Sequence, residues 1–245
     1  MRGLPETSLI TGESAFASLD DARLSRSLDE LIARRSAFLT DYQDAAYADR
    51  YRALVDAVRK AEQQAIPGST ALTESVARYF FKLMAYKDEY EVARLYTSGD
   101  FHKRVAQQFE GDYQVRFHLA PPLFAKRDEQ GRLQKKEYGP WMFKAFGLLA
   151  KLKGLRGGRF DLFGYTEERR GERQLIADYE TTLQELLGSL DARRLALAVD
   201  IASIPEHIRG YGHVKEKHLH EAKAREAALL ATWRNPKALH IVQAA

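Results

Sequence analysis

The chain has 245 residues, of which 45% are hydrophobic and 29% are charged, and none is cysteine. The absence of thiols excludes disulfides, a cysteine nucleophile and thiolate-ligated zinc or iron–sulfur centres from these residues. A net charge of +4 is too small to indicate nucleic-acid binding by itself, while 12 Tyr and 12 Phe against 7 Pro predict a folded chain.

The first predicted helix follows a segment with no sustained hydrophobic period. Residues 1–24 contain Gly and Pro without a pattern, so we expect a flexible leader or linker there. Ser27 and Glu30 have the spacing of a capping box, in which each side chain satisfies a free backbone N–H. A helix is therefore predicted to begin at Leu28.

Apolar residues at helical spacing predict most of the remaining elements. They recur over 28–42, 47–58, 72–84, 92–96, 141–152, 175–190, 195–201 and 208–233. The 47–58 stripe is either a second helix or a continuation after a kink. Thr166 is a predicted N-cap, and Gly99 and Gly188 are predicted helix ends.

The hydrophobic period changes to two between these helical regions. Tyr113–Leu119 alternates apolar and polar residues, which is typical of a half-buried strand. Leu123–Arg127 and Arg132–Tyr138 flank a predicted turn at Gly131. We therefore expect a predominantly α-helical α+β fold: one domain over 25–235, with a small antiparallel meander at about 113–138 and a tail at 236–245.

A basic, glycine-bearing segment is the best candidate for a ligand site. Gly154, Gly157 and Gly158 lie in a run of bases that contains no acid, where backbone N–H groups could approach an anion. Arg209–Lys215 is a second basic turn with glycines. The predicted anion-binding residues are Lys151, Lys153, Arg156, Arg159, Arg209, His213 and Lys215. The alternatives are a docking face for an acidic partner and a solvated loop.

Other polar clusters do not predict catalysis or metal binding. His213, His218 and His220 lack the i, i+3 or i+4 spacing of helical metal ligands. The glutamates of 167–180 alternate with arginines, as surface ion pairs of a helix do. We therefore predict no catalytic residue and no metal ligand.

Several segments resemble the C-terminal region of the bacterial indolepyruvate ferredoxin oxidoreductases. They are Leu72–Tyr96, Phe109–Tyr113, His118–Leu123, Gly139–Met142, Phe163–Arg170 and Arg209–Lys215, in the same order as in that family. The complete enzymes of that family decarboxylate arylpyruvates on thiamine diphosphate with Mg²⁺. They pass electrons through iron–sulfur clusters to ferredoxin and form an acyl-CoA.

The resemblance covers only the tail of that family, so it assigns no catalytic residue and no cofactor to this chain. It implies a detached subunit, a truncated product or an excised domain, with a structural or assembly role. The expected partners are the upstream catalytic domains or subunits, with ferredoxin an indirect one. We expect a cytoplasmic location, because no signal peptide or apolar run of membrane-spanning length is present.

Two other kinds of function stay open from the sequence. One is an independent basic module that binds a polyanion such as RNA, although nucleic acid is not the expected partner. The other is an enzyme whose site no motif reveals.

Overall fold

A computed structural model describes residues 25–109, 111, 114–119, 134 and 136–235. The predicted leader at 1–24, the predicted tail at 236–245 and the predicted strand segment Leu123–Arg127 lie outside these residues.

The described residues form helices and one small antiparallel sheet, as the sequence predicts. In chain order the elements are α1 (Leu28–Tyr42), α2 (Ala45–Ala65), α3 (Ala71–Met84), α4 (Glu89–Thr97), α5 (Gly99–Gln108), β1 (Phe117–Leu119), β2 (Lys136–Tyr138), α6 (Met142–Lys151), α7 (Glu167–Leu187), α8 (Leu195–Ala202) and α9 (Gly212–Arg234). Short 3₁₀ turns cover Lys153–Leu155 and Ile204–His207.

Local capping explains where several helices begin. Ser27 Oγ accepts from the Glu30 amide at 3.1 Å, while the Glu30 carboxylate accepts from the Arg26 amide at 2.7 Å. Asp44 caps α2, so the 47–58 stripe belongs to a separate helix. Thr166 caps α7 through the Arg169 amide at 3.3 Å, as predicted.

Two helix starts differ from the sequence-based expectation. Helix α4 ends at Thr97, near the predicted end at Gly99, but a further helix, α5, begins there, because the Ser98 side chain accepts from the Phe101 amide. The last helix begins at Gly212 rather than near Ile208. A 3₁₀ turn ends at His207, and Gly210, whose φ is 87°, lies between Ile208 and Gly212; such a φ interrupts a right-handed helix.

The larger hydrophobic core lies between α1, α2, α3, α7, α8 and α9. Three aromatic rings stack through its centre: Tyr51 on Phe80 at 6.0 Å and Phe80 on Tyr179 at 5.9 Å between centroids. The Tyr51 hydroxyl donates to the Ala77 carbonyl and that of Tyr179 to the Ala202 carbonyl. The two tyrosine rings are therefore buried with their hydroxyl groups hydrogen-bonded.

A smaller core joins α4, α6 and the sheet. In the sheet, Phe117 pairs with Tyr138 and Leu119 with Lys136. Phe117 packs edge-on against Phe146 of α6, and Phe146 stacks on Tyr96 of α4. The sheet thus covers one side of the α4–α6 pair.

No helix in the described part of the chain has both the length and the apolar character needed to cross a bilayer.

Candidate functional site

Arg156, from the predicted anion-binding loop, is a buried structural residue. Its side chain is 2% exposed, and Nε and Nη2 donate to the two oxygens of Asp88 at 2.5 and 2.9 Å. Nη1 donates to the Tyr42 carbonyl at 2.5 Å, and the guanidinium lies 3.6 Å from the Tyr42 ring centroid. Burial lowers the pKa of Arg156, but the hydrogen bonds and charge of Asp88 outweigh it and raise the pKa overall.

Lys153 also serves the fold. Its Nζ donates to the carbonyls of Thr40 and Asp41 at 3.2 and 2.6 Å, at the C-terminal end of α1. These carbonyls lack partners within the helix and carry the negative end of its dipole, so an ammonium stabilises them. The basic run is therefore partly a set of internal contacts.

Three bases of the run, Lys144, Lys151 and Arg159, remain exposed. Between Gly139 and Thr166 the single acid is Asp161, which is 3% exposed. The accessible charge of this segment is therefore positive throughout.

Asp161 organises the loop that connects the 3₁₀ turn to α7. Its carboxylate accepts from the amides of Gly157 at 2.7 Å, Phe163 at 3.2 Å and Gly164 at 3.0 Å, and from the Tyr90 hydroxyl at 3.1 Å. Arg173 donates to the Gly164 carbonyl at 2.6 Å. The loop therefore has one well-defined conformation.

This ordered loop presents large apolar side chains to solvent. Phe160 is 77% exposed, Leu162 is 70% exposed and Tyr165 is 57% exposed. The Tyr165 hydroxyl donates to the Arg159 carbonyl at 2.8 Å, which orients its ring. Such exposure on an ordered loop is typical of a binding surface.

Helix α6 has a second apolar side that faces away from its core. Met142 and Phe146 are buried against the smaller core, whereas Leu148 is 65% exposed. Trp141 and Leu152, which flank the helix, are 60% and 41% exposed and share the side of Leu148 by their spacing. We call the exposed apolar residues the 141–165 surface: Trp141, Leu148, Leu152, Phe160, Leu162 and Tyr165.

The second basic turn lies at a different place, beside a cleft of about 590 Å³. Arg209 and Lys215 line this cleft, whereas its described lining includes no residue of 151–159. His213 is exposed on the first turn of α9. The structure therefore brings together Arg209 and Lys215 but does not join the two predicted basic loops into one site.

Two of the predicted glutamates of α7 form ion pairs with other elements, whereas Glu168 lies 3.8 Å from Arg169 of its own helix. Glu172 pairs with Lys215 of α9, and Glu180 pairs with Arg50 of α2 at 2.7 Å. Arg169 of α7 pairs with Glu89 of α4 at 3.3 Å. Across the described residues, no group of three or more His, Asp or Glu side chains could hold a metal ion.

Sequence reasoning missed the 141–165 surface and the contribution of Lys82 to the cleft. A signal for the surface was present, since Phe160, Leu162 and Tyr165 are large apolar residues in a glycine-rich loop. Apolar residues in such loops are unusual, because loops run over the protein surface. Lys82 gave no signal, because the other cations Arg209 and Lys215 of the cleft are distant from it in sequence.

The model of a protein family of unknown function, DUF6537, matches residues 28–228. No curated protein and no solved structure matches the chain.

Proposed function

We propose that this chain, which belongs to the DUF6537 family, is a non-catalytic docking domain. Its partner is the catalytic part of a 2-oxoacid:ferredoxin oxidoreductase of the indolepyruvate type. The 141–165 surface is the contact, and the observation that carries the proposal is the exposure of Phe160 and Leu162 on an ordered loop.

Hydrophobic exposure supports docking. In this proposal the six side chains form one patch, and monomeric proteins rarely expose large contiguous apolar patches, while interfaces are enriched in Trp, Tyr and Phe. One Trp, one Phe and one Tyr of the 141–165 surface are more than half exposed. Covering them would remove apolar area from water, and that burial favours association.

Charge identifies the chemistry of the partner surface. Lys144, Lys151 and Arg159 are exposed within 139–166, where the one acid, Asp161, is buried; the exposed acids Glu167 and Glu168 follow at the start of α7. A complementary surface therefore has an apolar centre with Asp and Glu at its rim. We expect that surface on the catalytic part of the enzyme.

Preorganisation supports a protein partner rather than a solvated loop. The contacts of Asp161, Arg173 and the Tyr165 hydroxyl fix the loop before any partner binds. Binding then costs little additional loop entropy, which favours association.

The resemblance supports the identity of the partner. Its six segments lie in the same order as in that family between residues 72 and 215, and it concerns a tail region that lies after the catalytic parts. In this proposal, thiamine diphosphate, Mg²⁺, the iron–sulfur clusters and CoA are held by the catalytic parts, and the complex is cytoplasmic. The described residues of this chain contribute contacts only.

The test uses the whole chain and the separately produced catalytic part of the oxidoreductase from the same cells. Binding is measured by isothermal titration calorimetry at moderate salt. We expect a complex, and we expect Leu148→Asp to weaken it at least tenfold, because the change places a carboxylate in an apolar contact. Ala228→Asp, at an exposed position of α9, is the matched control and should bind as the unaltered chain does.

Two results would contradict the proposal. One is the absence of binding by the unaltered chain, and the other is equal weakening by both Asp variants. Binding to generic RNA with a steep dependence on salt would instead favour the polyanion-binding alternative, because counterion release sets that dependence.

A further inference from the structure

The cleft beside the second basic turn lies between the end of α3, the start of α7 and the 204–215 segment. Its volume is about 590 Å³, within the range of small-molecule sites. Leu83, Leu175 and Ile208 are buried aliphatic residues of its lining, at 7%, 8% and 8% exposure, and Tyr86 is buried there too. The cleft therefore offers an apolar base.

Cationic side chains dominate the walls of the cleft. They are Lys82, Lys87, Arg209 and Lys215, against the carboxylates of Glu168 and Glu172. Lys215 pairs with Glu172, and Arg209 pairs with Glu206 at 3.2 Å. The lining therefore carries four cationic side chains and two carboxylates.

Two of these cations keep a donor for a ligand. Lys82 Nζ donates to the carbonyls of Pro205 and Glu206 at 2.7 and 3.1 Å, and an ammonium carries three protons. Arg209 donates to Glu206 through Nε and Nη2, and neither of these contacts involves its Nη1. An anion in the cleft could accept from both.

The electrostatic neighbourhood of Lys82 favours an added negative charge. The pKa of Lys82 is lowered to about 8. Partial burial is the largest cause, and the positive charges of Arg209 and Lys215 also lower this pKa, whereas Glu206 raises it. A pKa below the usual value means that the charged form is disfavoured by its surroundings. A bound anion would reverse that effect.

The first turn of α9 adds backbone donors at the rim. Tyr211 and Gly210 line the cleft, and α9 begins at Gly212 without a side-chain cap. Gly210 packs against this turn so closely that an added Cβ would lie 2.8 Å from Val214. The N–H groups and positive dipole end of a helix attract anions.

We propose that this cleft binds a small phosphate monoester with an apolar or aromatic body. The phosphate would contact Lys82, Arg209 and the first turn of α9, and the body would lie on Leu83, Leu175 and Ile208. The combination of a concave apolar base with a few cations indicates a compact ligand. A polyanion would need a longer basic track than these residues supply.

The probe is phenyl phosphate, titrated into the whole chain at pH 7.5 and low salt by calorimetry. We expect saturable binding, with benzyl alcohol, which has a similar ring and no charge, failing to bind. Arg209→Ala should weaken binding about tenfold, as expected for loss of one charged hydrogen bond. Lys217→Ala, also on the basic C-terminal part but 76% exposed and outside the cleft lining, is the control and should have no effect.

A second variant tests the charge balance. Glu172→Gln keeps the shape of the side chain but removes a carboxylate and frees Lys215, so phenyl phosphate should bind at least threefold more tightly. Circular dichroism confirms that each variant is folded.

Three results would overturn the inference. They are no binding of phenyl phosphate at millimolar concentration, equal affinities of Arg209→Ala and Lys217→Ala, and displacement of the probe by generic RNA of higher affinity. None of these results depends on the 141–165 surface, so the docking proposal is tested separately.

Discussion

Glu62 shows how one buried side chain can determine a helix start. It lies in α2, is fully buried, and accepts from the Ser69 hydroxyl at 2.6 Å and the Leu72 amide at 3.0 Å. Its other oxygen accepts from the Thr73 amide at 2.8 Å and the Thr73 hydroxyl at 2.6 Å. Thr70, at the N-cap of α3, makes no side-chain cap, so Glu62 replaces it from another helix.

The ionised form of Glu62 stabilises the fold. Burial raises the pKa of this carboxyl, but the hydrogen bonds from Ser69, Thr73 and Leu72 outweigh burial and lower the pKa overall. Because the pKa of Glu62 is lower in the folded than in the unfolded state, its ionisation stabilises the folded protein at pH values above the ordinary carboxyl pKa. That stabilisation is lost as the pH falls through the folded-state value.

Glu62→Gln should therefore lower the free energy of unfolding at pH 7 by about 2 kcal/mol, because an amide N–H₂ would face donors. The difference from the unaltered protein should shrink below about pH 4, where the carboxyl becomes protonated. Urea denaturation across this range measures both effects. Glu74→Gln, at a half-exposed position of α3, is the control, and an equal loss in both variants would disprove the capping role.

Residue roles were predictable where the partner is close in sequence. Ser27 and Thr166 cap helices through amides three residues away, and the sequence predicts both. Arg156 contacts Asp88, 68 positions away, and a run of bases carries no sign of such a partner. The sequence therefore identifies the basic loop but not which of its cations are buried.

At the scale of elements, the loop after α6 depends on close packing at Gly164. An added Cβ there would lie 2.4 Å from Asp161 Oδ2 and 3.2 Å from Arg173 Nη1. The carboxylate that accepts the loop amides would have to move. The exposed side chains of Phe160, Leu162 and Tyr165 would then lose their fixed orientation.

Gly164→Ala should reduce docking to the oxidoreductase partner and speed hydrogen exchange at the amides of 157–164, while the larger core keeps its protection. Exchange mass spectrometry and calorimetry measure these effects. Gly154→Ala is the matched control, because an added Cβ there meets no atom within 4 Å. Unchanged exchange in Gly164→Ala would show that the loop does not depend on this contact.

Helices were more predictable than the sheet and the short elements. Helices α3 and α7 each bury one continuous side, so the period of their apolar residues predicts both helices from the sequence. Helix α5 has no such buried side, and the capping of Ser98 alone marks its start. The outward side of α6 escaped prediction, because the period of its apolar residues predicts a helix but does not show which of them stay exposed.

At the scale of the whole molecule, ionic contacts link the two hydrophobic cores. Arg156 joins Asp88, which caps α4 of the smaller core, to the Tyr42 carbonyl of α1 in the larger core. Arg169 of α7 pairs with Glu89 of α4 nearby. The relative position of the cores, and of the 141–165 surface with them, therefore depends on buried charges.

Arg156→Ala should then destabilise the protein by about 3–5 kcal/mol, because it leaves the carboxylate of Asp88 buried without its cation. Since the lost contacts join the cores, amides of α4 and α6 should exchange faster than those of α2 and α3, and urea denaturation should show a lower midpoint. Arg159→Ala, three residues on and exposed, is the control and should leave both measurements unchanged. If Arg159→Ala were the more destabilising change, Arg156 would not be the structural member of the basic run, and Asp88 would require another partner.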